Sequence, residues 1–196
     1  LPAVLKRINA VIPTEFVNKR LIVDDKSTDG TREISAANGW MVVFNEGAGI
    51  SDGANTALKN VECEYFVSFE QDLLLAGNWW QKIPPVLENS EVAAASGMRF
   101  ASQPQGVMKL QQYVAKKYRG EANLASWLKT RRNAAFTLGS TLDNTIYKTK
   151  VIRKVGGFDE GNITEDFEIA MRLKRHGYSI KVESDSFTYT RCPDNF

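Results

Sequence analysis

The sequence predicts an α/β fold with a mostly parallel central sheet and flanking helices. Two observations support this prediction. Apolar, β-branched runs alternate with helix-like segments along the 196 residues, and two of these runs end in acidic residues, at Asp24-Asp25 and at Glu70-Gln71-Asp72. Ligands of α/β sheets lie beyond the carboxyl ends of the strands, where such polar groups collect. The composition, 43% hydrophobic and 24% charged, is that of a globular protein, and we expect a single domain over residues 1–196.

The first hundred residues are predicted to alternate strands and helices. The run "RLIVDD" predicts a strand at 20–25, and "DGTREISAAN" predicts a short helix that Gly39 ends. Further strands are predicted at 40–45, 64–70 and 91–100, and helices at 51–60 and 78–89. Pro84-Pro85 interrupts the last of these helices, because proline lacks the N–H that a helix interior needs.

The second half is predicted to be mostly helical, with strands toward its end. Helices are predicted at 107–118, 125–132, 148–157 and 164–177, and strands at 140–148, 178–183 and 186–191. The helix at 164–177 has the clearest pattern. Ile169, Ala170 and Leu173 supply a buried face at helical spacing, and Gly177 provides a C-terminal stop.

Charge and cysteine content exclude several classes of protein. Lys and Arg number 25 against 23 for Asp and Glu, a balance that gives no support to a nucleic-acid partner. Cys63 and Cys192 have no CxxC spacing, and His176 is the single histidine, so neither a zinc site nor a disulfide scaffold is indicated. This cysteine usage is typical of the cytoplasm. No apolar run approaches the roughly 20 residues that cross a bilayer.

The acidic strand ends indicate a ligand site. Carboxylates are costly to bury unless a cation or hydrogen-bond donors compensate them. One acidic strand end alone is typical of a turn or a helix cap. Two of them, delivered by two strands to one edge of a sheet, favour a cleft that binds a divalent cation, a ribose or a base.

A third acidic element opens the helix at 164–177. Thr164 is suited to the N-cap, and Glu165 and Asp166 lie in the first turn, where the helix dipole favours negative charge. An isolated helix with these residues would need no functional explanation. Because this acidic first turn occurs together with two acidic strand ends, a functional explanation is favoured.

Three segments together resemble the family 2 glycosyltransferases, inverting enzymes with the nucleotide-sugar GT-A fold. The segments are "IVDDKSTDGT", "GISDGANTALKNVECEYFVSFEQD" and "VGGFDEGNITEDFEIAMRLKRHGYSI". They occur in the family's order and spacing, and the resemblance covers most of the chain. Residues 101–135 match least.

The resemblance implies a donor site in residues 1–100 and an acceptor side in residues 101–196. Asp25 would contact the base of the donor nucleotide, and Asp24 and Ser27 would shape the pocket. Asn55 matches an asparagine common on the helix before the metal-binding strand, and Glu70 opens the metal-binding element. Both are assigned to the donor-binding set.

The resemblance also implies the catalytic groups. Asp72 matches the last acid of the family's DxD element and would hold Mn²⁺ or Mg²⁺ on the donor diphosphate. Asp166 matches the general base, and Glu165 is placed beside it in the catalytic set. The chemistry calls for such groups, because a cation neutralises the leaving diphosphate and a base accepts the proton of the acceptor hydroxyl.

Three features differ from the family pattern. Glu70 replaces the usual first aspartate of the metal element, and Ala54 stands where the family often carries a basic residue. The family's first strand is not visible before "LPAVLKRINAVIPTEF", which resembles the helix and loop that follow that strand. We therefore expect the natural protein to extend beyond this chain.

The expected donor is a UDP- or GDP-sugar, and the expected acceptor is a saccharide, a lipid-linked group or a protein. The expected location is the cytoplasm or the cytoplasmic face of a membrane, with any membrane association provided by parts outside this chain. Trp79 and Trp80 are interpreted as core residues, with sugar stacking at the acceptor as the alternative.

Other functions stay open at the level of sequence. A degenerate nucleotide-sugar binder without catalysis is the first alternative. A receiver-type signalling domain is the second, because "LIVDD" and a later strand-end acid fit its pattern. A sugar nucleotidylyltransferase is the third, although its glycine-rich N-terminal loop is not seen.

Overall fold

The computed structural model describes residues 1–101, 144–161 and 164–190. The helices predicted at 107–118 and 125–132 lie outside these residues, as does residue 192. The described part alternates strands and helices, and the α/β class is confirmed.

The described strands and helices have the following bounds. The strands are β1 (Leu21–Asp24), β2 (Met41–Phe44), β3 (Tyr65–Phe69), β4 (Leu73–Leu75), β5 (Val92–Ala101), β6 (Asn144–Lys148) and β7 (Ser179–Thr190). The α-helices are α1 (Pro2–Val11), α2 (Thr31–Ala37), α3 (Ile50–Lys59), α4 (Trp79–Lys82), α5 (Thr149–Lys154) and α6 (Glu165–Arg175). Short 3₁₀ helices cover Thr14–Phe16 and Pro84–Glu88.

The described strands form two sheets. β1 and β2 make a parallel pair, and the other five strands follow the order β3-β6-β5-β7-β4. Within the described part, β1 pairs with β2 alone and β3 with β6 alone. Each therefore keeps one edge that no described strand occupies. The family's first strand, which the sequence does not show, stays a prediction.

Strand directions differ from the expectation of a mostly parallel sheet. The pairs β1–β2 and β5–β7 are parallel, whereas β3–β6, β5–β6 and β4–β7 are antiparallel. Parallel neighbours need a crossover of a dozen or more residues. Only residues 70–72 separate β4 from β3, so these two strands cannot be parallel neighbours. β4 instead pairs with β7, and the five-stranded sheet is mixed.

The five-stranded sheet is covered by apolar side chains on both faces. On β6, Ile146 belongs to the core that contains α1, α4 and β4, and Tyr147 belongs to the core that contains α5 and α6. Successive strand residues point to opposite faces, so this division is expected of a covered sheet. The helices thus hold the sheet from both sides.

Trp79 and Trp80 differ in burial. Trp79 is fully buried, and its indole N–H donates to Asn144 Oδ1 at 3.4 Å. Trp80 is half-buried, and its ring lies 5.4 Å from that of the exposed Phe16. The core interpretation is confirmed for Trp79.

Candidate functional site

The end of β1 holds two adjacent carboxylates in opposite surroundings. Asp24 is 2% exposed, and both of its carboxylate oxygens accept the backbone N–H of Ser27 at 3.3 Å. Asp25 is exposed. Lys26 follows with φ of 62°, the one positive value for a non-glycine residue in the described part. This left-handed residue turns the chain so that Ser27 faces Asp24, and Asp25 is left to face solvent.

The turn after β1 continues into α2 with a further hydrogen-bonded acid. Thr31 donates to Asp29 Oδ1 through its hydroxyl at 2.7 Å and through its backbone N–H at 3.2 Å. These hydrogen bonds favour the charged carboxylate and lower the pKa of Asp29 below its usual value. The loop is therefore organised around local carboxylate contacts.

The end of β3 presents exposed acids beside an arginine. Glu70, Gln71 and Asp72 are all exposed. Arg99, near the end of β5, places its Nη2 3.7 Å from Glu70 Oε2. Asp72 immediately precedes β4, whose Leu73 pairs with Thr190 at the end of β7. The ends of β3, β5 and β7 therefore come together around this acidic turn.

The start of α6 carries the third acidic group. Thr164 is the N-cap residue, and its carbonyl accepts the N–H of Glu168 at 2.9 Å. Glu165 and Asp166 are half-buried, and the backbone N–H of Phe167 donates to Asp166 Oδ1 at 2.7 Å. The acids thus lie in the first turn as predicted.

Glu165 and Asp166 belong to different faces of α6. Glu165 shares its face with Glu168, three residues later, and Asp166 shares its face with Ala170, four residues later. Glu168 forms an ion pair with Arg172, whereas Ala170 is buried in the core. Both acids also lie one turn before the buried Ile169, so they share one neighbour and differ in the other.

Asn55 has contacts different from those expected of a donor-binding residue. From α3, its Nδ2 donates to Phe158 O and to Glu160 Oε1, both at 2.8 Å, and its Oδ1 accepts the Phe158 N–H at 2.9 Å. Both ends of the amide are engaged by the loop before α6. The sequence could not place this contact, because the partners are 103 and 105 residues away.

Arg99 and Arg172 were not identified from sequence. Arg99 lies at the end of a correctly predicted strand, so the argument that located the acidic strand ends would have found it. Arg172 donates from α6 to Val155 O at 2.7 Å and pairs with Glu168. The i to i+4 spacing of Glu168 and Arg172 was the available signal.

The described residues are compatible with a cation whose remaining ligands come from a bound phosphate and water. Within 1–101, 144–161 and 164–190, no three carboxylate, histidine or cysteine groups come together as a ready-made cation site. Mg²⁺ is usually bound by one or two carboxylates and by substrate phosphates. The exposed carboxylate of Asp72 meets that requirement, since the remaining ligands would come from substrate and water.

An α/β sheet with polar groups beyond its strand ends is typical of a ligand-binding domain. The family described as Glycosyl transferase family group 2 matches residues 73–196, from β4 to the end of the chain. The chain belongs to this family.

Relatives by sequence are similar at low identity. Poly-beta-1,6-N-acetyl-D-glucosamine synthase of Staphylococcus epidermidis is 22% identical over 199 residues, which cover 95% of this chain and 46% of the relative. Beta-monoglucosyldiacylglycerol synthase of Nostoc sp. is 22% identical over 169 residues, which cover 82% of this chain and 35% of the relative. The chain thus spans less than half the length of these relatives.

Solved structures of glycosyltransferases share the fold. The mannosyltransferase PcManGT from Pyrobaculum calidifontis, in complex with GDP-Man and Mn²⁺, aligns with a TM-score of 0.67 at 16% identity over 99% of this chain and 54% of that one. Glucosyl-3-phosphoglycerate synthase from Mycobacterium tuberculosis, in complex with Mn²⁺, UDP and phosphoglyceric acid, aligns with a TM-score of 0.64 at 14% identity. The alignment covers 99% of this chain and 66% of that one. The GT-A fold predicted from the motifs is confirmed.

Family membership decides against the receiver-type alternative. The family match covers 73–196, most of which lies after residue 100, where a receiver domain offers no counterpart. Among the described helices, none is long and apolar enough to span a bilayer.

Proposed function

We propose that the chain is the catalytic part of an inverting glycosyltransferase that moves a sugar from a nucleoside diphosphate to an acceptor hydroxyl with the help of a divalent cation. The observation that carries the proposal is the placement of exposed acids at the ends of β1 and β3, in a member of a glycosyltransferase family. Neighbouring structures contain GDP-Man or UDP together with Mn²⁺.

Donor binding is proposed at the ends of β1 and β3. Asp25 faces solvent, so its carboxylate is available to accept N–H groups of a nucleotide base. The turn behind it is held by the backbone N–H of Ser27, which donates to both carboxylate oxygens of Asp24. Asp72 would hold Mn²⁺ or Mg²⁺ on the diphosphate. The bound cation would stabilise the negative charge that develops on the leaving nucleoside diphosphate.

Transfer is proposed to proceed by in-line displacement at the anomeric carbon. The bond from that carbon to the diphosphate oxygen breaks, and its electron pair stays with the diphosphate. The acceptor oxygen attacks from the opposite face, which inverts the centre, and its proton passes to Asp166. The Phe167 N–H orients the Asp166 carboxylate through Oδ1, so Oδ2 is the proposed proton acceptor.

Thermal shift and turnover of the full-length protein test the proposal. A ligand that binds the folded state raises its stability, so one of UDP, GDP, dTDP and CDP should raise the Tm in the presence of Mn²⁺. The matching nucleotide sugar should then release its nucleoside diphosphate. A protein that responds to no nucleotide, with or without Mn²⁺, would contradict the proposal.

Asp166→Asn is the sharpest variant for the base. It keeps the shape and the hydrogen bond from Phe167 and removes the proton acceptor, so kcat should fall by about 10² to 10⁴. Donor affinity, measured by titration of the nucleotide sugar, should change little. Glu165→Gln is the matched control and should have the smaller effect. Equal loss of affinity and turnover in Asp166→Asn would rule out the base assignment.

A degenerate binder is the second candidate, and the Glu70–Arg99 pair favours it. An arginine 3.7 Å from the first acid of the metal element competes with a cation for that acid. Such a protein would show the Tm increase with nucleotide but would release no nucleoside diphosphate. The turnover measurement therefore separates the two candidates.

Acceptor and location follow from the relatives as proposals. The names of the two sequence relatives specify a polysaccharide and a glycolipid, so we propose a saccharide or lipid acceptor, with a protein acceptor as the alternative. Work at the cytoplasmic face of a membrane would suit a lipid acceptor.

A further inference from the structure

A loop of residues 156–160 is held between two helices that are far apart in sequence. On one side, Asn55 of α3 makes its three hydrogen bonds, two to the backbone of Phe158 and one to Glu160. On the other side, Arg172 of α6 donates to the carbonyl of Val155 at 2.7 Å, just before the loop. Asn55 thus holds the loop itself, and Arg172 holds the residue from which the loop starts.

The backbone of the loop is adapted to the Asn55 contact. Gly157 has φ of +75°, and a Cβ at this position would lie 2.7 Å from Asn55 Oδ1. Any other residue would therefore be strained and would also push the amide away. The next residue, Phe158, is 3% exposed and packs edge-on against Tyr147. Apolar packing of Phe158 against Tyr147 and hydrogen bonds with Asn55 together fix the position of the loop.

The two helices whose side chains hold this segment carry different parts of the proposed site. α3 packs against β1, which ends at Asp24 and leads to Asp25. α6 begins with Glu165 and Asp166. Phe158 of the loop and Ile169 of α6 belong to the same buried core, and Arg172 of α6 donates to Val155 O. Through these contacts, a movement of the loop relative to α3 would change the position of Asp166 relative to the donor side of the sheet.

We propose that Asn55 is a positioning residue: by clamping residues 156–160 it sets the start of α6, and with it Asp166, relative to the donor-binding strands. Arg172 completes the coupling by tying α6 back to Val155. The assignment of Asp166 rests on the proposed function, but the mechanical link does not. Asn55 contacts the loop through both ends of its amide, so its effect on transfer is indirect.

Hydrogen exchange tests the link without requiring activity. In Asn55→Ala, the amide of Phe158 loses its acceptor and should exchange faster, whatever the wider role of Asn55. The decisive amide is that of Glu168, the first intrahelical donor of α6, and we expect it to exchange several-fold faster too. Unchanged exchange at Glu168 would overturn the proposal.

Kinetics separate positioning from donor binding. A misplaced base should lower kcat by about tenfold to a hundredfold, with the KM for the nucleotide sugar nearly unchanged. A rise in donor KM at constant kcat would instead place Asn55 in the donor site and overturn the proposal. If the wild-type protein shows no transfer, the proposed function fails, and the exchange at Glu168 still decides the role of Asn55.

Two further variants guard against simple unfolding. Asn60→Ala removes another asparagine of the same region, whose Nδ2 bonds only Thr56 O among the described contacts. It should leave the Glu168 exchange unchanged. Asn55→Asp keeps the acceptor for Phe158 N–H, loses the donor to Phe158 O and to Glu160, and places a charge beside Glu160. Glu160→Gln removes the charge repulsion and supplies an amide donor, so kcat should be partly restored in the double variant. Absence of restoration in a folded double variant would count against the clamp.

Discussion

The two acidic strand ends use their carboxylates differently. At the end of β1, Asp24 is buried and bonded to Ser27, and its neighbour Asp25 is exposed. At the end of β3, both Glu70 and Asp72 are exposed, and Glu70 lies beside Arg99. The first end thus contains one acid that serves the fold and one that faces solvent, whereas the second presents both acids outward.

This difference shows that an acid after a strand has no fixed role. A buried carboxylate needs donors from the protein, and a turn with a left-handed Lys26 supplies one for Asp24. An exposed carboxylate pays no such cost and is available to a ligand. Burial and internal hydrogen bonds therefore separate structural acids from candidate ligands.

Among the variants at the two strand ends, Asp72→Asn should produce the largest effect, and it tests the exposed side of the comparison. Loss of the charge removes the proposed cation ligand, and cation stabilisation is worth several kcal/mol, so activity should fall by about two to three orders of magnitude. Nucleoside diphosphate release measured against Mn²⁺ concentration checks it. A loss that is the same with and without Mn²⁺ would point to misfolding.

Asp24→Ala and Asp25→Ala form the matched pair at the β1 end. Asp24→Ala leaves the Ser27 N–H without its carboxylate, so the free energy of unfolding should fall by about 1–3 kcal/mol. Asp25→Ala should change that free energy by no more than about 0.5 kcal/mol and should weaken nucleotide binding instead. Urea denaturation and nucleotide titration measure the two quantities. If Asp25→Ala lowered the free energy of unfolding and Asp24→Ala weakened nucleotide binding, our assignment of Asp24 to the fold and of Asp25 to the ligand would be reversed.

Glu70→Gln should have the smallest effect. The pair with Arg99 is about half exposed, and such ion pairs contribute about 0–1 kcal/mol. A double-mutant cycle with Arg99→Met should therefore give a coupling below about 1 kcal/mol in unfolding. Activity of Glu70→Gln should stay well above that of Asp72→Asn. Equal losses would make Glu70 a cation ligand in its own right.

The elements that the sequence predicted well are those with long, uniform patterns. The apolar run at 20–25 and the periodic helix with Ile169 and Leu173 both occur close to the predicted bounds. β4 was missed because three residues carry no periodicity. The strands predicted at 178–183 and 186–191 form one strand, Ser179–Thr190, which pairs with β5 through a register irregularity after Gly97.

The positions of the candidate acids at strand ends were predictable from sequence, and the contacts of the candidate site were not. Asp24 and Asp25 close the strand predicted at 20–25, and Asp72 lies just after the strand predicted at 64–70, so their place at strand ends came from local pattern alone. The burial of Asp24 depends on the backbone turn at Lys26, and the Asn55 clamp joins residues about a hundred positions apart. The first property depends on a local turn whose left-handed residue is not evident from the residue types, and the second joins residues that no local stretch of sequence contains.

The short link between β3 and β4 determines the curvature of the sheet. These strands stand at opposite ends of the order β3-β6-β5-β7-β4, and a flat sheet would separate them by four intervals, about 19 Å. The four Cα steps from Phe69 to Leu73 reach about 14 Å at most. The sheet must therefore curl until its first and last strands approach each other. Residues 70–72 are constrained in length as well as in chemistry, and an insertion there would open the curl and draw Asp72 away from the ends of β5 and β7.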